Sequence, residues 1–176
     1  MGRGMRDPPS AFEQIATRHR AEIAAYLGRL LGHDQDAQDL CQETFLRAQR
    51  AFPRLPAGAN TRAWLYRIAT NRAWSALACR ARMAARTAEL DLDTLPGRDG
   101  TSPETRERLR LVARAVGALP PKQRAALIQR RFEGLEYAEI GAALACSAAS
   151  ARANVYQALK KLRAALAIPG EIDEER

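Results

Sequence analysis

The sequence contains few of the residues from which enzymes and metalloproteins usually build their sites. Histidine occurs twice, at His19 and His33, and His19 falls on an apolar helical face, where a lone histidine is more often a core residue than a ligand. Cys41, Cys79 and Cys146 are far apart and form no CxxC pair, so neither a zinc site nor a disulfide framework is indicated. We therefore expect no metal, no cofactor and no small-molecule substrate, and an all-α enzyme is a weak alternative.

Long apolar runs and alternating patterns are also missing. No stretch approaches the roughly 18 apolar residues of a membrane span, and no signal peptide is recognisable at the N-terminus. We therefore expect a cytoplasmic protein without membrane insertion. No segment alternates convincingly between apolar and polar residues, so no sheet is expected. Only 6% of the residues are aromatic, and alanine, the best helix former, is abundant where packing is needed. The predicted fold class is all-α.

Positive charge is what the sequence has in excess. The formal net charge is +8 and the sequence pI is about 10.1. Lysine and arginine release counterions from phosphates, so a domain this basic is a candidate nucleic-acid binder. A basic surface that only confers solubility is an equally good explanation until the distribution of the charges is considered.

Composition divides the chain into two small helical domains. We predict a disordered tail at residues 1–10, a first helical domain at 11–86, a flexible linker at 87–107, a second helical domain at 108–168 and an acidic tail at 169–176. The first domain contains three helices: one capped by Ser10 and ended by Gly32, one that stops before Pro53, and one from about Thr61 to Arg86. The linker is rich in acidic residues, proline and glycine.

The second domain opens with the stripe Leu109, Val112, Val116 and Leu119, which ends at a proline pair. Pro121 suits the first turn of the next helix, which carries Ala125, Ile128 and Phe132 and is closed by Gly134.

A helix-turn-helix follows. Residues 137–144 form a short apolar-faced helix, residues 145–147 a break, and Ser147 is placed to cap the next helix. That helix has a predicted buried stripe of Ala148, Ala151, Val155, Leu159, Leu162 and Leu166. Its opposite face presents Ser150, Asn154, Gln157 and Lys161, side chains suited to base edges in the major groove. An ordinary helical hairpin with a solvated face is the alternative.

The third helix of the first domain is basic. It contains Arg62, Arg67, Arg72, Arg80, Arg82 and Arg86 and no acidic residue. Trp64, Arg67, Asn71 and Trp74 fall on one side of it. Aromatic rings interleaved with cations suit single-stranded nucleic acid, because bases stack on rings while arginine neutralises phosphates. Alternatively, both tryptophans belong to the core.

The second helix has the opposite bias. Asp34, Asp36, Asp39 and Glu43 occur with no lysine or arginine between Leu31 and Leu46. Asp39, Gln42, Glu43 and Leu46 make a polar stripe with an apolar end, which could dock on a basic protein surface. A solvated acidic face is the commonest explanation of such a pattern, and a Mg²⁺ site is a further one.

Several of these segments resemble the extracytoplasmic-function group (group 4) of bacterial sigma-70 family RNA polymerase sigma factors. Residues 36–48, DAQDLCQETFLRA, resemble that group's core-polymerase-binding helix, and residues 62–71, RAWLYRIATN, its −10 segment. Residues 119–124, LPPKQR, and 132–140, FEGLEYAEI, resemble the start of its region 4. The similarity covers about residues 11–86 and 108–166, in the family's order.

The resemblance implies an alternative sigma factor that binds core RNA polymerase and directs it to promoters. Contacts with the polymerase, mainly its β′ clamp helices and also its β subunit, are implied for Asp36, Asp39, Gln42, Glu43 and Leu46. Recognition and melting of the −10 element are implied for Arg62, Trp64, Arg67, Asn71, Arg72 and Trp74, with the loop at 52–60 shaping a pocket for a flipped base. Duplex contacts at the −35 element are implied for Arg130, Ser147, Ser150, Arg152, Asn154, Tyr156, Gln157 and Lys160. An anti-sigma factor is the expected regulatory partner.

The second helix of the helix-turn-helix departs from the family pattern. Ala145 stands in the turn where glycine is usual, and residues 149–157 carry fewer arginines than usual. Fewer cations mean fewer phosphate contacts and a shallower salt dependence. Two alternatives remain: a sigma-like mimic that only binds an anti-sigma factor, and a conventional helix-turn-helix regulator. The first would normally lose the basic −10 helix, and the second would not need the acidic stripe.

Overall fold

The computed structural model describes residues 10–32, 34–87 and 102–167, and within these ranges every regular element is helical. The helices are α1 (Ala11–Leu31), α2 (Asp34–Ala51), a short 3-10 turn (Phe52–Arg54), α3 (Thr61–Thr87), α4 (Pro103–Gly117), α5 (Pro121–Arg131), α6 (Tyr137–Leu144) and α7 (Ala148–Leu166). The all-α prediction is confirmed. Residues 1–9 of the tail predicted at 1–10, the tail predicted at 169–176 and residues 88–101 of the predicted linker lie outside the described residues.

Local capping chemistry sets most helix ends where the sequence placed them. The Ser10 hydroxyl accepts a hydrogen bond from the Glu13 backbone N–H, and the Glu13 carboxylate accepts one from the Ser10 N–H at 2.6 Å, so α1 starts with a capping box. Gly32 ends α1 in the left-handed conformation, with φ of 77°. Pro121 occupies the first turn of α5, and Gly134 follows that helix with φ of 64°.

Helix α4 begins at Pro103, so residues 103–107 of the predicted linker are helical. Ser102 caps it by accepting a hydrogen bond from the Thr105 N–H. The apolar stripe predicted on this helix is buried only at its end, at Leu119, whereas Leu109 is 56% exposed and Val112 43% exposed. Helix α4 packs against α7, and only its C-terminal half is partly covered. Every residue from 102 to 112 is exposed.

The buried residues of the two predicted domains form one continuous apolar cluster. Helices α1, α2 and α3 pack on one another, α7 packs on α5 and α6, and the two groups meet where α1 and α3 contact α5 and α6. Phe132, placed by the sequence on the apolar stripe of α5, is 62% exposed because the helix ends one residue before it. The Arg29 guanidinium lies over its ring, 5.1 Å from the ring centroid.

Helices α6 and α7 form the predicted helix-turn-helix. The Ser147 hydroxyl caps α7 by accepting a hydrogen bond from the Ser150 N–H at 3.1 Å. Ala151 and Val155 of the predicted stripe are buried and Leu159, Leu162 and Leu166 are partly buried. Ala148 is exposed instead, because it is the first residue of α7 and faces out from the turn. The turn packs closely against Gly141 of α6, because a Cβ at this position would lie 2.7 Å from the Cys146 carbonyl oxygen.

The turn contains a strained alanine. Ala145 ends α6 with φ of 51° and ψ of 53°, a left-handed conformation that costs a side-chain-bearing residue about 1–2 kcal/mol. We predict that Ala145→Gly raises the free energy of unfolding by about 0.5–1 kcal/mol, because glycine adopts this conformation freely but loses more entropy on folding. Urea denaturation followed by circular dichroism measures the change.

The matched control is Ala142→Gly, at an exposed position inside α6. There glycine lowers the free energy of unfolding by about 0.8–1.0 kcal/mol. Equal destabilisation by both substitutions would contradict the left-handed geometry at residue 145.

Candidate protein and nucleic-acid interfaces

The predicted acidic stripe lies on the outer surface of α2, but its carboxylates are not equivalent. Asp39 and Gln42 are exposed, Leu46 is 49% exposed, and neither polar side chain contacts another side chain of the described ranges through a hydrogen bond or ion pair. Asp36 instead pairs with Arg80. Glu43 accepts a hydrogen bond from Arg72 of α3 at 2.7 Å. Asp39, Gln42 and Leu46 are thus the members available to a partner.

Ion pairs therefore join the acidic helix to the basic one. Arg47, one turn along α2, also reaches Glu43, at 3.2 Å. The hydrogen bond from Arg72 is the main reason that the pKa of Glu43 lies below its usual value, and Arg47 lowers it further. The sequence indicated two independent charged surfaces. The structure shows that α2 neutralises part of α3, at Arg72 and Arg80.

The predicted −10 residues occupy two different faces of helix α3. Trp64, Arg67, Asn71 and Trp74 share one side of it, as predicted from their spacing. Arg67 and Asn71 are exposed, and Arg67 makes no ion pair among the residues described. Trp64 and Trp74 are half-buried and pack on the apolar cluster, so each offers part of a ring rather than a free stacking surface. The indole N–H of Trp74 is buried without a hydrogen-bond partner in the described ranges.

Arg62 lies on the opposite face of α3. Its guanidinium donates to both carboxylate oxygens of Glu22 on α1, the closest at 3.0 Å, and to the main-chain carbonyl of Glu133 at 2.6 Å. Arg62 and Arg72 are thus both engaged within the protein. Of the six residues that the resemblance placed at the −10 element, the structure groups four on one face and separates these two arginines from them.

The outward face of α7 carries most of the residues predicted for the −35 element. Arg152, Gln157 and Lys160 are exposed, and Tyr156 is 39% exposed. Asn154 is half-buried and donates to the Ser150 carbonyl at 2.9 Å. The hydroxyls of Ser147 and Ser150 lie 2.9 Å apart within the helix cap. The long side chains of this face are accessible, whereas its short ones are occupied with the helix itself.

Arg130 of α5 is brought beside the start of α7 by an aromatic ring. The Arg130 guanidinium lies 4.8 Å from the Tyr137 ring centroid, and that of Arg152 lies 5.3 Å from the same centroid. Arg130 also donates to the Leu135 carbonyl at 3.1 Å and to Glu136 at 3.2 Å. Two cations predicted to contact DNA therefore stack on one tyrosine, which positions them together.

The sequence reasoning missed a polar set buried between the two helical groups: Tyr26, Tyr66, Thr70, Gln129 and Glu133. Gln129 is fully buried, and it donates to Tyr26 and Thr70. Burial raises the pKa of Tyr26 to about 12, so this phenol stays protonated. A glutamine inside the apolar run of α5 was a usable signal that this position was special. Its partners, far away along the chain, had no local signal.

Two models of known families match the chain. "Sigma-70 region 2" matches residues 15–83, and "Sigma-70, region 4" matches residues 109–162. The two matches together cover most of the chain and coincide with α1–α3 and with α4–α7. The chain belongs to the extracytoplasmic-function group of the sigma-70 family of RNA polymerase sigma factors.

Individual relatives agree with this assignment. "ECF RNA polymerase sigma factor SigE" of Mycolicibacterium smegmatis is 32% identical over 160 residues, a match that takes in 89% of this chain and spans 62% of that relative. "RNA polymerase sigma-H factor" of Pseudomonas aeruginosa is 31% identical over 175 residues, which is 93% of this chain and 90% of that relative. The sigma factor RpoE of Bartonella quintana, solved with the anti-sigma factor NepR, has a TM-score of 0.72 at 22% identity, with 92% of this chain and all of that chain covered. That last likeness concerns the fold.

Two further findings concern the described ranges alone. No helix in them has the length and apolar character that a bilayer crossing requires. Nor do they bring together three or more histidine, cysteine or acidic side chains in a group suited to a metal ion.

The bond between Arg72 and Glu43 can be tested directly. We predict that Arg72→Ala raises the pKa of Glu43, because it removes the largest stabilisation of the ionised carboxylate. Arg47→Ala is the matched control and should raise it less. An NMR titration that follows the Glu43 side-chain carboxyl carbon measures both pKa values. A larger shift in the Arg47 variant would contradict the assignment of Arg72 as the main partner.

Proposed function

We propose that this sigma factor binds core RNA polymerase through α2, opens and holds the −10 element with the outer face of α3, and binds the −35 element as duplex with α7. The observation that carries the proposal is the separation of three chemically different surfaces. An acidic, a cationic-aromatic and a polar-basic surface occupy different helices, and each keeps exposed members that the fold does not use.

The polymerase contact rests on Asp39, Gln42 and Leu46. An exposed carboxylate, an amide and an isobutyl group within two turns of α2 suit a basic helical surface with an apolar spot, such as the β′ clamp helices. Asp36 and Glu43 support the polymerase contact indirectly, because their ion pairs with Arg80 and Arg72 hold α2 against α3. The β subunit is a second polymerase contact that the family implies.

The −10 contact rests on Arg67 and Asn71, with the exposed parts of Trp64 and Trp74. Melting requires that unpaired bases find substitute stacking and hydrogen-bonding partners, and an arginine beside indole edges provides both charge and stacking surface. The loop at 52–60, which contains the short 3-10 turn, leads directly into α3. A base flipped out of the non-template strand would be held beside this loop.

The −35 contact rests on Gln157, with Arg152 and Lys160 on phosphates. Glutamine can hydrogen-bond an adenine through two atoms in the major groove, whereas lysine and arginine on the same helix position it along the backbone. Arg130, stacked with Arg152 on Tyr137, extends the cationic surface from α7 to α5.

An anti-sigma factor is the proposed regulatory partner. The Bartonella quintana sigma factor was solved in complex with one, and its fold resembles this one. That complex supports only the class of partner that we expect for this chain.

In vitro transcription tests the function. The purified chain, added to core polymerase with a library of promoter fragments, should produce transcripts with defined start sites that core alone does not make. Failure to initiate on any promoter, while binding to core persists, would overturn the proposal and favour a sigma-like mimic.

The polymerase surface is probed best at Asp39, since it has no pairing role within the described residues. We predict that Asp39→Lys weakens core binding on the order of tenfold or more, because it places like charges together at the interface. Fluorescence anisotropy of the labelled chain titrated with core measures the affinity.

Glu107→Lys is the matched control, because it makes the same charge change on α4, where the ion pair that Glu107 makes with Arg110 in the described ranges is long, at 3.9 Å. It should leave core affinity unchanged. Loss of isolated DNA binding along with core binding in the Asp39 variant would indicate unfolding instead of a lost contact.

Base and phosphate contacts on α7 should behave differently. Gln157→Ala should cost about 1–3 kcal/mol on the preferred −35 sequence and relax selectivity at one base pair. Lys160→Ala should weaken all sequences equally and reduce the slope of log K against log salt by about 0.9. Binding titrations on a set of single-base −35 variants at several salt concentrations separate the two. If Gln157→Ala weakened binding to every −35 variant equally, Gln157 would not be a base-reading residue.

A further inference from the structure

An exposed carboxylate lies beside the cations that the proposed function assigns to the −35 element. The side chain of Glu136, the residue before α6, is 72% exposed and accepts a hydrogen bond from the Arg130 guanidinium at 3.2 Å. Arg130 is held in place, because it also donates to the Leu135 carbonyl at 3.1 Å and stacks on the Tyr137 ring. The pair therefore joins a fixed cation to an anion at the protein surface.

The position of this pair matters because the same ring carries a second cation. The Arg152 guanidinium of α7 lies 5.3 Å from the Tyr137 ring centroid, on the helix that carries the proposed base contact. Arg130 and Arg152 thus share one ring, and Glu136 is the chain neighbour of that ring. Guanidinium groups bind phosphate oxygens through two parallel N–H groups, so this pair of arginines suits the DNA backbone.

The Glu136 carboxylate uses a donor of Arg130 that a phosphate would also use. The Nη1 atom of Arg130 donates both to Leu135 and to Glu136, so both hydrogens of that nitrogen are engaged within the protein. If a phosphate replaces the carboxylate, Glu136 is left as an unpaired anion beside the DNA backbone, where like charges repel. The carboxylate and the phosphate therefore compete for one cation.

The other acidic residues of this region are engaged elsewhere. Residues 121–166 contain three of them, and the side chain of Glu133 is only 5% exposed. Glu139 accepts hydrogen bonds from the Glu136 backbone N–H and from Asn60, both at 2.9 Å. Glu136 is thus the acidic residue of this range that presents its charge next to the −35 surface.

We propose that Glu136 is a negative determinant of −35 binding, which holds Arg130 while the chain is free and must release it to a phosphate when α7 binds duplex DNA. This inference rests on the proposed assignment of the −35 surface. The carboxylate lowers the affinity of α7 for every duplex sequence, because the competition involves the DNA backbone and not the bases. It therefore disfavours binding to the many non-promoter sites at which α7 would bind alone.

Glu136→Gln tests the proposal, because it removes the charge and keeps the shape of the side chain. Glu136→Ser is a second variant, since a serine at this position can accept a hydrogen bond from the Glu139 N–H, as Ser147 does from the Ser150 N–H. Glu107→Gln is the matched control, with the same charge change at an exposed position of α4. Fluorescence anisotropy of a short labelled duplex of mixed sequence, titrated with each full-length chain from about 50 to 200 mM salt, measures affinity.

Both Glu136 variants should bind this duplex about threefold to tenfold more tightly than the parent chain at the lowest salt, the effect of one additional phosphate contact. Their slope of log K against log salt should be steeper by about 0.9, so the gain shrinks roughly threefold at the highest salt. Glu107→Gln should match the parent chain in affinity and slope. Unchanged affinity in both Glu136 variants, with folding intact by circular dichroism, would overturn the proposal.

Arg130→Ala shows whether the effect passes through Arg130. Glu136→Gln should tighten binding less in this background than in the parent chain, because relief of like-charge repulsion then remains without the release of Arg130. An equal gain in both backgrounds would mean that Glu136 acts only as a nearby negative charge, and competition for Arg130 would be wrong.

Weaker duplex binding by both Glu136 variants would mean that the carboxylate accepts a hydrogen bond from the DNA, as it can from cytosine, and would also overturn the proposal. Failure of the parent chain to initiate transcription would instead count against the proposed function. The duplex titrations would still decide whether Glu136 restrains Arg130.

Discussion

The hydrogen bonds that Gln129 makes inside the protein determine where the second domain sits. An amide that is fully buried is costly unless its donors are used, and here both donors go to Tyr26 and Thr70, on two different helices of the first domain. The placement of α5 against α1 and α3 lets both donors bond, whereas the Gln129 side-chain oxygen is buried without a partner in the described ranges. The position of α6 on α3, and the enclosure of Glu133, follow from that placement.

The same placement divides the charges of α3 into two groups. Arg62 turns inward to Glu22 and Glu133, and Arg72 and Arg80 turn sideways to the carboxylates of α2. Partly exposed pairs of this kind contribute little to stability individually, so their main effect is geometric. They fix α2 beside α3, whereas Arg67 and Arg82 of α3 remain exposed. A surplus of positive charge in the sequence therefore does not translate into an equal surplus on the DNA-binding surfaces.

Short-range chemistry was readable from the sequence, and long-range chemistry was not. Ser10, Gly32 and Ser147 mark helix ends through bonds to residues within a few positions, and Pro121 does so through its fixed φ, so the helices and the helix-turn-helix could be predicted closely. Phe132 was misjudged because whether an apolar residue is covered depends on where its helix stops and what lies opposite. The bonds of Glu133 could not be predicted, since they join it to residues about 70 and 100 positions earlier and its own neighbours give no sign of them.

The small number of cations on α7 has a consequence for the binding of promoter DNA. Arg152, Lys160 and the neighbouring Lys161 are few cations for a DNA-binding helix, so under the proposed function we expect α7 alone to bind a −35 element weakly and with a shallow salt dependence. The outer face of α3 offers few exposed cations, Arg67 and Arg82, beside two half-buried indoles, so we expect it to be a weak surface as well. Two weak surfaces become selective when they are linked and bind together, since the second contact then forms at high effective concentration.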